Sequence, residues 1–228
     1  MTFWDHLDEL RKVLIRTLVV TMFFAILAFC FKEQLFSIIL APRGTVRLIN
    51  TELTQQFVIH MKMAFFVGFL VASPYILYQL FRFVSPALYI NERRYVVRVC
   101  GGGYLMFIVG VIFSYLVVFP FVIRFLGNYQ VDQSVENTIT LQSYISTFSS
   151  LTLLLGLLFE MPVVCWLFAK LKLLKSSFMT RYRRHAVVII LSAAAIITPT
   201  TDIFTLLIVS IPMWLLYELS VVIVHRTE

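Results

Sequence analysis

The stretch FVSPALYINERR, Phe83–Arg94, decides the fold because it is the short connection between two long apolar runs. These runs cover about Phe57–Phe81 and about Tyr95–Phe119, and each exceeds the roughly 20 residues that a helix needs to cross a bilayer. So short a connection predicts two antiparallel membrane helices with the stretch at one membrane face. It also holds the carboxylate Glu92 beside two arginines, behind an aromatic residue and a proline. That content is typical of a surface that recognises a charged partner.

The composition extends this interpretation to the whole chain. Of its 228 residues, 60% are hydrophobic and 14% are charged, whereas a soluble domain is about 45–50% apolar and about 25% charged. Lipid offers no partners to backbone polar groups, so long apolar runs are predicted to be helices. We therefore expect an all-α membrane protein, folded as a single integral membrane domain over residues 1–228. Its six apolar segments are about Val13–Phe31, Phe57–Phe81, Tyr95–Phe119, Tyr144–Phe168, Ala186–Thr198 and Ile203–Val224.

The last two segments are separated only by PTTD, which ends at Asp202. The fifth segment has about 13 residues, which at a rise of about 1.5 Å per residue is short of a full span. We expect it either to cross a thinned bilayer or to form a shallow hairpin with the sixth segment. Asp202 precedes an apolar helix and is predicted to be its N-cap.

The basic residues predict the orientation, because cytoplasmic loops of membrane proteins are rich in lysine and arginine. One set of helix ends holds 14 of the 19 basic residues, and the opposite set holds four, with Lys62 just inside the second segment on that sparse side. The basic side is expected to be cytoplasmic, with both termini on it. Its members are Arg11, Lys12, Arg16, Arg82, Arg93, Arg94, Arg98, Lys170, Lys172, Lys175, Arg181, Arg183, Arg184 and Arg226.

Glu160 carries the largest free-energy cost of membrane insertion in the chain, because an ionisable group at the centre of a membrane helix costs roughly 2.5–3.5 kcal/mol on an insertion scale. It is expected to face the protein interior or a wet cavity. It is a buried glutamate kept neutral, or one bonded to backbone that Pro162 leaves free, or a polar station for a partner helix or substrate. Pro74, Pro162 and Pro212 are predicted to kink their helices. Glu218, near the end of the last segment, is predicted to snorkel or to pair with the basic loop 169–184.

The N-terminal sequence MTFWDHLDELRK supplies a second carboxylate at the basic face, Glu9. Leu7, Leu10 and Leu14 recur at helical spacing, which predicts an amphipathic helix that leads into the first segment. Glu9 and Glu92 either pair with local arginines or hold two adjacent arginines of a partner. A carboxylate accepts two hydrogen bonds from one arginine, which lysine cannot match.

Catalytic motifs are absent from the sequence: HExxH, GxSxG and GxxxxGK[ST] do not occur. The three cysteines are isolated in apolar runs, and the four histidines are scattered. We therefore expect neither an enzyme, a metal site nor a cofactor. The net charge of +7 suits membrane orientation, and nucleic acid is not an expected partner.

Several motifs resemble those of the TatC family, the multispanning core of the twin-arginine protein translocase, and the resemblance covers essentially the whole chain. The combination is specific because the motifs occur in the family's order and spacing. They are HLDELR at His6–Arg11, SPYILYQLFRFVSPALYINERR at Ser73–Arg94, FSYLVVFP at Phe113–Pro120, LLFEMP at Leu157–Pro162, TPTTD before the last segment, and IPMWLLYE at Ile211–Glu218.

The resemblance implies a receptor for paired-arginine signal peptides that helps to export folded proteins with the proton-motive force. It implies a six-helix concave cup with two short last helices, in the inner membrane of a prokaryote. The implied partners are twin-arginine signal peptides, single-span subunits of the TatA and TatB type, further copies of the chain, and membrane lipids. The implied signal-peptide site is Glu9, Arg11, Phe83, Glu92 and Arg94, with Pro86 shaping the approach; Glu160 and Asp202 are implied intramembrane contacts, and Pro42, Pro74, Pro86 and Pro162 are structural.

Two positions depart from the family's pattern. Val13 stands where members often carry a further arginine, and Leu206 stands where many carry glutamine. A secondary transporter that uses Glu160 as a proton or cation site is the main alternative, although no related halves are evident in the sequence. An intramembrane enzyme is the weakest alternative because a nucleophile–base pair is missing.

Overall fold

The protein is described by a computed structural model over residues 3–44, 46–84, 93–128, 138–197 and 203–227. Helices dominate these residues, so the all-α prediction is confirmed. One addition is a two-residue parallel strand pair, β1 (Leu48–Ile49) and β2 (Ile139–Thr140), with Leu48 opposite Ile139. The α-helices are α1 (Phe3–Cys30), α2 (Lys32–Leu40), α3 (Gln55–Val84), α4 (Arg93–Phe113), α5 (Phe119–Asn128), α6 (Leu141–Phe159), α7 (Met161–Lys170), α8 (Ser176–Arg181), α9 (Arg183–Ile197) and α10 (Ile203–Thr227).

Within the described ranges, five helical stretches are long and apolar enough to cross a membrane. The predicted fifth segment corresponds to α9, whose 15 residues extend only about 22 Å, less than the hydrocarbon core of about 30 Å. Its predicted shortness is confirmed. The five stretches are His6–Cys30, Gln55–Phe83, Cys100–Gly127, Leu141–Lys170 and Ile203–Thr227.

Two stretches between the predicted apolar segments, 32–56 and 120–143, contain helix. The connection 32–56 begins with α2, because Leu35 and Ile39 are buried on one face of it. The third apolar segment, predicted to end at about Phe119, continues as helix, because a π-helical turn at Ser114–Val118 leads into α5, which runs to Asn128. Val122 and Ile123 in α5 are buried. Packing therefore extends the third apolar helix beyond its predicted end at Phe119.

The first compact unit comprises Met1–Ala41 and Glu52–Tyr104. Its helices α1 and α3 lie against each other, and Gly68 permits a close approach: a Cβ atom on Gly68 would lie 2.5 Å from the backbone nitrogen of Ala25. Helix α1 continues unbroken from the amphipathic N-terminal sequence into the first span, as predicted. Pro74 lies inside α3, where the hydroxyl of Ser73 donates a hydrogen bond of 2.7 Å to the Leu70 carbonyl. That carbonyl is the one that a proline at position 74 leaves without its helical N–H donor.

The second unit comprises Pro42–Thr51 and Leu105–Glu228. Two glycines let its helices interlock: a Cβ atom on Gly110 would lie 2.6 Å from the Leu155 carbonyl oxygen, and one on Gly156 would lie 2.8 Å from the ring of Phe107. Ser114 in the π-helical turn shares a buried hydrogen bond of 3.2 Å with Thr152. Pro162 stands just after Glu160, the single residue that separates α6 from α7, and its predicted kink stays a prediction.

Candidate functional site

A cavity of about 310 Å³ lies in the first unit between the N-terminal part of α1 and the last turns of α3. Helical geometry explains its composition. Positions 9, 12, 13 and 16 of α1 share one face, and so do positions 79, 82 and 83 of α3. The lining residues are Glu9, Lys12, Val13, Arg16, Gln79, Arg82 and Phe83.

Two oxygen acceptors in this cavity have no hydrogen-bond donor among the described residues. One is Oε2 of Glu9, and the other is Oε1 of Gln79, whose side chain is 3% exposed. The orientation of the Gln79 amide is fixed by its nitrogen, because Nε2 donates a hydrogen bond of 2.6 Å to the Tyr75 hydroxyl. A buried acceptor without a donor costs about 1–3 kcal/mol, so the cavity favours a ligand rich in N–H groups.

Three exposed cations, Lys12, Arg16 and Arg82, line the same cavity. None of them forms an ion pair with Glu9 within the part of the chain that the structure describes. Local pairing, one of the two interpretations of Glu9, is therefore not observed there. Glu92 lies outside the described residues, so its pairing stays a prediction.

The ring of His6 holds Phe83 at the edge of the cavity. The two rings are stacked, with centroids 4.2 Å apart and planes inclined by 21°. Of the residues that the resemblance implied, Glu9 and Phe83 thus come together. Arg11 is exposed and is not part of the cavity lining, because it follows Glu9 by two positions, about 200° around the helix.

Other implied residues cannot be placed in the cavity. Arg94 belongs to the first turn of α4, while Pro86 and Asp202 lie outside the described residues. Pro42, the first residue of the second unit, lies in the short 3₁₀ helix Ala41–Arg43.

Sequence reasoning missed Gln79, Arg82, Lys12 and Arg16 as cavity residues. A signal for them existed, because Gln79 precedes Arg82 and Phe83 by three and four residues, which places the three on one helix face. Likewise Lys12 and Arg16 follow Glu9 by three and seven residues. Val13, one of the two departures from the family's pattern, also lines the cavity and contributes an apolar wall.

Glu160 is the second polar feature and belongs to the second unit. Glu160 is 7% exposed, and both of its carboxylate oxygens are buried without a hydrogen-bond partner in the described ranges. The expected inward orientation is confirmed. Among the described residues, the carboxylate makes no hydrogen bond to backbone freed by Pro162. The main-chain N–H of Glu160 ends α6 by donating a hydrogen bond of 3.1 Å to the Leu157 carbonyl.

Glu218 pairs with the basic loop, as predicted. Its Oε2 lies 2.8 Å from Nη2 of Arg183. Beside this pair, the Tyr217 hydroxyl donates a buried hydrogen bond of 2.7 Å to the Met179 carbonyl. The loop is therefore attached to α10 by two adjacent side chains.

The sequence over residues 5–212 matches the family model described as "Sec-independent protein translocase protein (TatC)". The chain belongs to the TatC family. Proteins named "Sec-independent protein translocase protein TatC" from Koribacter versatilis (strain Ellin345) and Aquifex aeolicus (strain VF5) are 35% and 34% identical to it. Each alignment covers 97% of this chain, and they cover 84% and 93% of the respective relatives.

The fold agrees with this membership of the TatC family. Two crystal structures described as twin arginine translocase receptor TatC, one of them in DDM, are similar to it with TM-scores of 0.85 and 0.86 and 34% identity. They cover 96% and 95% of this chain, which covers 97% and 98% of theirs. The family resemblance is confirmed, the chain is a multi-pass membrane protein, and the transporter alternative receives no support.

Proposed function

We propose that this chain is the signal-peptide receptor of a Sec-independent protein translocase in a prokaryotic cytoplasmic membrane, where it serves the export of folded proteins by the proton-motive force. The observation that carries the proposal is the pair of unsatisfied acceptors, Glu9 Oε2 and Gln79 Oε1, in one cavity at the end of two spans. The relatives' names support the same function.

An arginine side chain fits these acceptors. The guanidinium presents five N–H donors in a planar fork and binds carboxylates through two parallel hydrogen bonds. Glu9 would accept one such fork, and Gln79 would accept a further N–H from the same or the neighbouring arginine. Lysine offers a single charged point and cannot satisfy both oxygens with this geometry.

The local charge indicates that the site requires a second carboxylate. Lys12, Arg16 and Arg82 surround one described carboxylate, and they would repel two incoming guanidiniums. In our proposal Glu92 supplies the second negative charge, with Arg94 nearby and Phe83 and Pro86 shaping the entry. One carboxylate would then face each of the two arginines.

The proposed topology has six spans, with both termini and the cavity at the cytoplasmic face and the helices arranged as a concave cup. The basic-rich helix ends support this orientation. Helix α9 would complete the count as a short crossing. Asp202 would open the last helix and contribute to the contact with single-span subunits of the TatA and TatB type.

Glu160 is proposed as the intramembrane polar contact. A carboxylate with two unsatisfied buried oxygens offers strong acceptors to a polar group on a single-span subunit, or to the signal peptide, within the membrane. Assembly into a receptor complex with further copies of the chain belongs to the same proposal.

Site-specific photocrosslinking tests the proposal. A photoreactive amino acid replaces Phe83 in the full chain, reconstituted in membranes and mixed with a twin-arginine precursor. Phe57 is a matched control, because it is an exposed aromatic residue in the first turn of the same helix. We expect crosslinks from position 83 that disappear when the precursor carries two lysines. Equal crosslinking from position 57, or the same yield with lysines, would contradict the proposal.

A further inference from the structure

The basic segment, Lys170–Arg184, begins at the last residue of the Leu141–Lys170 span. It carries six lysines and arginines and no aspartate or glutamate. All six cations are exposed. Only one of them, Arg183, forms an ion pair with a described residue, the carboxylate of Glu218. The segment therefore presents five cations that form no ion pair with a described residue, at the end of a candidate span.

The basic segment has a defined shape. It turns at Lys172, whose φ is +58°, and the amide of Leu173 donates back to the Phe168 carbonyl at 2.9 Å. Helix α8 follows, with Ser176 and Met179 buried. Ser176 lies 3.4 Å from Nδ1 of His225 in α10, and the Met179 carbonyl accepts the Tyr217 hydroxyl. One side of α8 is thus fixed to α10.

The other side of the segment combines apolar and cationic side chains. Leu173 is 74% exposed and Phe178 is 57% exposed, and the Phe178 ring lies 4.7 Å from that of Tyr182. Lys175 and Arg181 stand close to them in sequence and are exposed as well. Exposed apolar residues interspersed with lysine and arginine are typical of a segment that lies at the membrane interface.

We propose that the basic segment is a binding site for the headgroups of anionic phospholipids. Lys170, Lys175 and Arg181 would contact the phosphates, while Leu173 and Phe178 would insert among the upper acyl carbons. A phospholipid is favoured over a soluble anion because it also covers the apolar side chains. The inference goes beyond the proposed receptor function and uses none of the cavity residues.

The test is native mass spectrometry of the purified full chain with phosphatidylglycerol and phosphatidylcholine of identical acyl chains. We expect the wild type to retain phosphatidylglycerol preferentially. The triple variant Lys170→Gln, Lys175→Gln, Arg181→Gln should lower this preference at least about tenfold, since each basic residue near an anionic surface contributes a factor of about five. The matched control is Lys32→Gln, Lys62→Gln, Arg47→Gln, which removes the same residue types at exposed positions elsewhere and should retain the preference.

A second pair of variants tests the apolar contribution. Leu173→Ser should weaken phosphatidylglycerol binding severalfold, whereas Leu53→Ser, at a residue that is 99% exposed, should not. Millimolar inorganic phosphate should fail to compete. The proposal is overturned if the triple variant keeps its lipid preference, if both triples lose it equally, or if phosphate or a soluble polyglutamate peptide displaces the lipid. Circular dichroism of every variant verifies that its helices are intact.

Discussion

His6 in the first turn of α1 stacks on Phe83 in the last turn of α3, with their ring centroids 4.2 Å apart. This contact joins the two helices at the edge of the cavity that contains Glu9 and Gln79. A stacked aromatic pair contributes about 0.5–1.5 kcal/mol beyond the area that it buries. The stack therefore restrains the position of Phe83 relative to Glu9.

Loss of this stack should weaken peptide binding without abolishing it. We expect His6→Ala to reduce the affinity for a twin-arginine peptide by about 2- to 10-fold, the free-energy range of one stacked pair. His6→Phe should restore the affinity, because it keeps the ring. Fluorescence anisotropy with a labelled peptide measures both. His185→Ala, at an exposed histidine of α9, is the control and should leave peptide affinity unchanged. Failure of His6→Phe to restore peptide affinity would exclude ring stacking on Phe83 as the source of the effect.

Glu9→Gln should lower peptide affinity by about 10- to 100-fold, since a hydrogen bond to a charged group contributes about 1.5–3 kcal/mol. The measurement is again titration of the labelled peptide with the full chain. Glu33→Gln is the matched control, because Glu33 is an exposed glutamate in α2. A peptide with two lysines should bind the wild type weakly and should lose little further affinity to Glu9→Gln. Normal binding of the arginine peptide to Glu9→Gln would eliminate this carboxylate as its ligand.

Gln79→Leu should weaken binding of the peptide while leaving the thermal stability of the protein nearly unchanged. The substitution removes the unsatisfied Oε1 together with one hydrogen bond to Tyr75, so we expect only a small change in the midpoint of thermal unfolding. Peptide affinity should fall about 5-fold, which corresponds to the loss of one net hydrogen bond of about 1 kcal/mol. Gln34→Leu, at an exposed glutamine of α2, controls for the loss of an amide. Unchanged affinity would exclude Gln79 from the peptide site.

Gly110→Ala should destabilise the second unit. The new Cβ atom would meet the Leu155 carbonyl at 2.6 Å and Phe159 at 2.9 Å, and overpacking of this kind costs about 1–3 kcal/mol. Gly102→Ala is the matched control in the same helix, because nothing lies within 4 Å of its Cβ position; it should be neutral or slightly stabilising. Thermal unfolding in detergent, followed by circular dichroism, compares the two. Equal stability of both variants would show that α4 and α6 are not closely packed at Gly110.

The Arg183–Glu218 pair should contribute little to stability. The two side chains are 51% and 26% exposed, and solvent-exposed ion pairs contribute about 0–1 kcal/mol. A double-mutant cycle with Arg183→Gln and Glu218→Gln should give a coupling energy in that range, and about 1 M salt should reduce it. A coupling energy above about 2 kcal/mol would mean that the pair is shielded from solvent in the membrane.

Much of the architecture could be predicted from the sequence, because membrane helices depend on the length of apolar runs. The short fifth segment, the inward-facing Glu160 and the pairing of Glu218 with the basic loop all followed from local composition. Helix α2, the extension to Asn128 and the strand pair did not. Each depends on burial against residues distant in sequence, as with Leu48 opposite Ile139.

The sequence by itself determined that this protein is helical and crosses the membrane several times, because lipid accepts only long apolar segments with satisfied backbones. Its family resemblance also predicted Glu9 and Phe83 for one site, and both line one cavity. Only the tertiary structure decided which faces of α1 and α3 meet, and therefore that Gln79 and Arg82 line the same cavity as Glu9. The reason is the rotation of α1 and α3 about their axes, which depends on close packing such as that of Gly68 on Ala25.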